Sequence, residues 1–308
     1  MSQYRVRNWS EYNKGLKQRG SLTFWISPDV LANWEVQQKT GKPGATATYT
    51  NQAIVTMVTL KSVMGLPGRA LCGFVESIFA LMGVDLSVPD HTTISRRLRR
   101  LAVKLPVKPT SGKRHVVIDS TGIKVYGEGE WKTRQHGISK RRTWRKLHLA
   151  VDEATGEILS SVVTDHSCHD SEVLGELLDD IVGEISQVDA DGAYDTAACY
   201  DYIEGRGAIA GIPPQRNAKI WFHGNRKTPR HPRDENLRTI RLVGRANWKR
   251  LIRYHRRSIA ETTMFRHKNA FGGRVSSRKM DRQVNELKVQ CLVLNGMIQA
   301  AKPDSYVC

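Results

Sequence analysis

Asp119 closes the apolar run Val116-Val117-Ile118, Asp191 follows the short run Gln187 to Ala190 and precedes Gly192, and Glu261 lies in the segment Tyr254 to Lys268. The first two acids would stand at strand ends and the third on a helix. Three carboxylates from separated segments repel one another when a fold brings them together, and divalent cations relieve that repulsion. Mg²⁺ is the expected ion, with Mn²⁺ as a substitute, because hard cations take oxygen ligands and keep positions open for phosphate and water. Two such ions suit in-line attack on a phosphodiester: one activates a water or a 3′-hydroxyl and the other stabilises the leaving oxygen. Taken singly, each acid also reads as a cap, a turn residue or a surface charge. Asp189 stays open as an alternative to Asp191, since it points to the same side of an extended strand, and Asp170 and Asp195 are also near.

The elements that must position these acids follow from the residue pattern. His115 to Ser120, Trp144 to Asp152 and Glu157 to Thr164 read as strands, with a turn at Ala154-Thr155-Gly156 between the last two. A helix over Ser171 to Val182, a strand over Gln187 to Ala190, a helix over Thr196 to Glu204 and a strand over Ala208 to Ile212 come next. Pro213 to Lys249 reads as basic and mostly irregular, and helices over about Tyr254 to Asn269 and Arg282 to Ala300 close the chain. That order is the order of a ribonuclease H-like α/β domain, an analogy at the level of fold alone. At 100° per residue, Tyr254, Arg257, Glu261 and Lys268 share a helix sector of about 60°. One face thus mixes an aromatic ring, two cations and an acid, with Ile259, Met264 and Phe265 expected to make apolar contacts around the rest.

Residues 1 to about 110 read as a mainly helical region. Asn51 to Val63 forms one helix and Pro67 to Met82 another, striped by Leu71, Phe74, Val75, Ile78, Leu81 and Met82. Asp90 caps a third helix, His91 to Val103, in which Ile94, Leu98 and Leu101 fall on one side and Thr92, Thr93, Arg96, Arg99 and Arg100 on the other. Short polar groups and Arg on the outer face of such a helix suit a helix-turn-helix reader over about residues 67–103. A connector of about seven residues is longer than the usual three or four. Leu105 to Lys113 carries two Pro, a Gly and a Ser and reads as the linker to a domain over residues 111–308.

Charge points to the partner. The 308 residues carry a formal +18, unevenly spread. Arg96 to Lys146 holds 16 basic and 3 acidic residues, and Gly205 to Arg282 holds 21 basic and 4 acidic. Leu147 to Gly205, between them, has 15 acidic residues and no Lys or Arg. Two blocks with 37 of the 48 cations suit a polyanion, because each phosphate neutralised releases counterions. Trp131, Trp144, Trp221 and Trp248 lie in these blocks as candidates for stacking on unpaired bases. No apolar run approaches the roughly 18 residues of a membrane span, and Met1 to Gly15 lacks the apolar segment of a signal peptide. The five Cys are widely spaced without a C-x-x-C pair, which fits reduced thiols in the cytoplasm and argues against zinc at His166, Cys168 and His169.

Tyr254, Arg257, Glu261 and Lys268 reproduce the spacing Y-x2-R-x3-E-x6-K, and here the chain resembles bacterial DDE insertion-sequence transposases. The segments DSTGIKVYGEGEWKTRQHG from Asp119, KRRTWRKLHLAVDEATGEI from Lys140, ADGAYDT from Ala190 and IPPQRNA from Ile212 look like insertion-sequence family five, in the group containing insertion sequence 903. The resemblance implies that Asp119, Asp191 and Glu261 are the metal-binding triad, selecting Asp191 over Asp189. It implies that Tyr254, Arg257 and Lys268 contact or position DNA. It also implies binding of terminal inverted repeats in double-stranded DNA, Mg²⁺-dependent cleavage at element ends and transfer of the 3′ ends to target DNA. The assembly would be a homo-oligomer, at least a dimer, on DNA in the bacterial cytoplasm, associated with the nucleoid and with no membrane partner. Two rivals share the charge pattern: a non-catalytic DNA-binding regulator, and a metal-dependent structure-specific nuclease or resolvase.

Overall fold

A computed structural model describes residues 4–38, 47–125, 144–222 and 230–307. Trp131, expected from the sequence to stack on bases, lies outside them with the rest of residues 126–143. The chain divides into two units, Met1–Pro106 with Ala270–Cys308, and Val107–Asn269. The division falls inside the Pro-rich linker read from the sequence.

The first unit opens with β1 (Tyr4–Val6) and α1 (Trp9–Gln18), followed by the short helices α2 (Leu22–Trp25) and α3 (Pro28–Ala32). Then come α4 (Asn51–Met64), α5 (Gly68–Met82) and α6 (His91–Leu98). Thr50 caps α4 by accepting from the Ala53 amide, and Asp90 caps α6 by accepting from the Thr92 amide at 2.8 Å. Trp34, Ile54, Met57, Leu71, Val75, Phe79, Ile94 and Leu98 are buried together, and the apolar surface they remove from water stabilises the unit.

The second unit is built on β2 (Arg114–Val125), β3 (Trp144–Asp152) and β4 (Ile158–Asp165), then a 3₁₀ turn Asp170–Val173, α7 (Leu174–Asp179), β5 (Ile185–Asp189), α8 (Ala197–Gly205) and β6 (Ile209–Gly211). The strands lie in the order β4-β3-β2-β5-β6. β2, β3 and β4 are antiparallel, with Asp119 opposite Leu149, and β5 and β6 run parallel to β2, with Val117 beside Asp189. Successive side chains alternate across the sheet. Val116, Ile118 and Val188 face a core with Leu174, Leu177, Tyr200 and Ile203, which leaves Asp119 and Asp189 on the opposite face. The β3–β4 turn is closed by Asp152, whose Oδ1 accepts from the Ala154 and Thr155 amides, and by Gly156 at φ 76°. Asp152 also pairs with buried Arg114, whose Nη2 donates to the Lys108 carbonyl at 2.7 Å and ties the linker to the sheet.

Pro213 to Lys249 contains more order than the sequence suggests. It holds α9 (Pro232–Val243) and most of α10 (Arg245–Leu251), followed by a 3₁₀ turn Tyr254–Arg257 and α11 (Ser258–Phe271). Pro232 suits the first position of α9, where its missing N–H costs nothing. The buried side of α9 is Arg233, Asp234 and Leu237, so its stripe is mostly charged and escapes a search for apolar periodicity.

α12 (Met280–Ala300) and β7 (Ser305–Val307) close the chain, β7 pairing antiparallel with β1. The sequence places the C-terminal helix with residues 111–308. In the structure Val289 and Val293 of α12 belong to the core of the first unit, and Asn285 donates to the Leu98 carbonyl at 2.7 Å. α6 ends at Leu98 rather than at Val103, and the Leu98 carbonyl at its end is satisfied in part by Asn285. Among the described residues no single helix is long and apolar enough to cross a membrane.

Candidate active site

Asp119 stands on the central strand, partly buried, with Oδ1 accepting from the Ser120 amide at 2.9 Å. Burial pushes its carboxyl above the usual range, Arg257 and the Ser120 amide pull it back, and the charges of Asp191 and Glu261 add to the rise. Asp119 therefore lies within electrostatic reach of both Asp191 and Glu261.

Glu261 is positioned by α11 and its entry. Arg253 adopts φ 57°, a left-handed turn that ends α10's path and starts the 3₁₀ turn. Gln187 of β5 donates to the Ile252 carbonyl at 2.8 Å, and the Tyr254 hydroxyl donates to the Ala190 carbonyl at 3.2 Å. Both bonds fasten the entry to α11 onto the strand that leads to Asp191. Burial pushes the Tyr254 phenol up to about 12, so it stays a neutral donor. Arg257 then reaches Asp119 Oδ2 through Nη1 at 3.1 Å and Glu261 Oε1 through Nη2, one helical turn away. Lys268 lies two turns beyond Glu261, about 10 Å along the axis, and is exposed. Met264 is buried and Ile259 half-buried, whereas Phe265, also expected to make apolar contacts, is 65% exposed.

The neighbouring acids are in different settings. Asp191 caps a 3₁₀ turn, Gly192–Tyr194, accepting from the Ala193 amide at 2.9 Å. Asp189 is fully buried and accepts from Gln187 at 2.7 Å, with His115 Nε2 at 3.0 Å. Gly211 lies against it so closely that a Cβ there would come within 1.9 Å of its Oδ1. Asp195 is buried against Arg233. Asp170 bonds Ser120 and Lys146 behind Asp119.

The donor chemistry at Asp119, Asp191 and Glu261 fits hard divalent cations, since the acids supply only oxygen, and the charges of Asp191 and Glu261 add to the cost of ionising Asp119. Among the described residues no three His, Cys, Asp or Glu side chains are close enough to enclose one ion. Arg257 is the cation joining Asp119 to Glu261.

Thr92, Thr93, Arg96 and Arg99, the other DNA-contact candidates, lie in the first unit. Thr92 Oγ1 bonds Asp90 at 2.5 Å, Arg96 reaches Thr93 at 3.5 Å and Arg99 pairs with Asp281 at 2.8 Å. Trp248 is 1% exposed and is not available for stacking on bases. Trp221 is partly exposed, with Arg233 over its ring at 3.7 Å. Gln187, Ser120 and Lys146 are site neighbours that the sequence does not single out, and Asp170 enters there only as an acid near Asp191. The one signal for Gln187 was its alternation with Asp189, and for Ser120 its place next to Asp119.

A family model described as a transposase DDE domain matches residues 110–295, and a second model of the same description matches residues 17–128. Among solved structures, the chain is similar to the Drosophila P element transposase in a strand transfer complex, at 14% identity over 49% of this chain and a TM-score of 0.28. It spans 35% of that chain. It is also similar to the piggyBac transposase in a synaptic complex with hairpin DNA, at 10% identity over 97% of this chain and 84% of that one, with a TM-score of 0.29. The first family model covers more than half of the sequence, from the linker through the central strand and Glu261 into α12, and on that match the chain belongs to the DDE transposase domain family.

Proposed function

We propose that the protein is a DNA transposase that binds terminal inverted repeats, cleaves phosphodiester bonds at element ends and transfers the 3′ ends into target DNA. The observation that carries this reading is the linkage of Asp119 to Glu261 through Arg257, with Asp191 in the same electrostatic field. The sheet and the helix of a ribonuclease H-like domain supply these acids. Asp119, Asp191 and Glu261 would hold divalent ions, Mg²⁺ by preference. Such ions, when bound, supply activation of a water or 3′-hydroxyl and stabilisation of the leaving oxygen.

The chain's own residues do the rest. Tyr254 and Gln187 hold the entry to α11 against β5, fixing where Glu261 projects. Arg257 offsets the acids' mutual repulsion before substrate arrives. Lys268, exposed on the Glu261 side of α11, suits a phosphate of the bound strand. The helical first unit, with Thr92, Thr93, Arg96 and Arg99 on and just after α6, suits recognition of the repeat by a homo-oligomer of at least two chains.

The test is incubation with Mg²⁺ and a duplex ending in the candidate repeat, with cleaved and joined products resolved together. Both products are expected from the wild type. Asp119→Ala, Asp191→Ala and Glu261→Ala should lose both while still binding the duplex. Normal cutting by Glu261→Ala would sink the proposal, and cleavage without joined product would make the protein a nuclease.

A further inference from the structure

Behind Asp119, on the other face of the sheet, lies a polar network that the proposed reaction does not use directly. Ser120 follows Asp119 on β2, and its hydroxyl donates to Asp170 Oδ2 at 2.8 Å. The second oxygen of Asp170 takes Lys146 Nζ at 3.0 Å, and the same ammonium donates to the Cys168 carbonyl at 2.9 Å. The strand register explains the meeting: Ser120 lies opposite His148 and Gly122 opposite Lys146, so Ser120 and Lys146 are diagonal neighbours on one face. His148, with no exposure, donates or accepts at Thr164 Oγ1 through Nε2, and its Nδ1 is 3.9 Å from Asp170. Tyr194, at the end of the turn that Asp191 caps, is buried, and its hydroxyl has no partner among the described residues. The charge of Asp170 reaches Tyr194 as well, so Asp170 neighbours both segments that carry the strand-end acids.

We infer that Asp170 is a positioning residue for the candidate site: it anchors the Ser120 hydroxyl, and the Ser120 amide in turn holds the Asp119 carboxylate at 2.9 Å. The inference rests on the proposed reading of Asp119 as a metal-binding acid. Lys146 contributes by keeping Asp170 ionised and by pinning the loop that carries it to β3. Partners of this kind behind metal-binding groups set the orientation of the ligand, and losing one costs roughly 10–100-fold in metal affinity. The Asp170 side chain is partly exposed and is bonded by Ser120 and Lys146 rather than packed in the apolar core.

The test uses the full chain and Mn²⁺ alone, with affinity read from the free-ion electron paramagnetic resonance signal, and separately measures cleavage of the repeat duplex. Asp170→Asn and Ser120→Ala should each weaken Mn²⁺ binding about tenfold or more and slow cleavage in step, while Ser120→Thr restores both. The double variant Ser120→Ala with Asp170→Asn should be no worse than the poorer single, because the two act through one chain of bonds. Wild-type Mn²⁺ affinity in Asp170→Asn, or in Ser120→Ala should Asp170→Asn fail to fold, overturns the inference and leaves the proposed function standing. Failure of the wild-type chain to bind Mn²⁺ or to cleave overturns the proposed function, and this inference with it.

Discussion

Asp189 and Asp191 are two residues apart and chemically identical, and their surroundings differ. Asp189 is buried, bonded to Gln187, beside His115 and packed on Gly211, which is the setting of a structural acceptor. Asp191 stands past the strand end with one oxygen on the Ala193 amide. Asp189→Asn is expected to lower stability by about 1–3 kcal/mol, the cost of disturbing buried hydrogen bonds. Asp191→Asn should leave the melting temperature nearly unchanged and remove cleavage. Thermal melts read beside the cleavage assay check both, and equal destabilisation by the two would remove the distinction. His148 gives a second test at this scale. Burial lowers its pKa from 6.5 to about 4, against the pull of Asp170, so the folded chain binds this proton less tightly than the unfolded chain. Its contribution is complete above pH 6.5 and is lost as the pH falls toward 4, a difference on the order of 3 kcal/mol. Urea midpoints from pH 7 to pH 4 should fall more steeply in the wild type than in His148→Gln, and parallel curves would refute the assignment.

The elements show where sequence patterns suffice and where they fail. α9 depends on a buried ion pair: Arg233 is 4% exposed, bonds Asp195 through Nε at 2.6 Å and Nη2 at 3.2 Å, and lies over the Trp221 ring. Asp195→Ala strands that guanidinium and is expected to cost about 3–5 kcal/mol, read from chemical denaturation. A loss below 1 kcal/mol would mean that Arg233 finds water or another acceptor. The same pair explains why Pro213 to Lys249 reads as irregular: charges fill the inward positions of α9, and their partner is nearly 40 residues earlier. By contrast β2 to β6, α7 and α8 were legible, because Val116, Ile118 and Val188 alternate inward and Asp152, Gly156 and Thr196 mark turns or caps. Of the candidate site, the sequence singles out the three acids and the Tyr254 to Lys268 segment, but not that Tyr254 and Arg257 lie on a 3₁₀ turn ahead of the helix that carries Glu261 and Lys268. The site's supports were not legible, since Gln187 to the Ile252 carbonyl and Ser120 to Asp170 join residues 65 and 50 positions apart. Local pattern carries no trace of such bonds.

At the scale of the molecule, the two ends of the chain belong to one unit while all three candidate acids lie in the other. The charge follows a different division, since an acidic segment without Lys or Arg runs from Leu147 to Gly205 within the second unit. The first unit depends on residues nearly 200 positions away from its helices. Val289 and Val293 fill its core, and Asn285 caps α6 through the Leu98 carbonyl. A chain ending at Arg278 keeps every residue of the second unit but removes these groups. Deleting two buried Val and a buried amide donor leaves a cavity and an orphaned carbonyl, each worth kcal/mol in a unit whose stability is small by nature. In hydrogen exchange, the truncated chain is expected to lose amide protection throughout α4 and α6 while β2 and β5 remain protected. Retained protection in α4 and α6 would show that the helical unit folds without α12, and would return the C-terminal helix to the domain where the sequence places it.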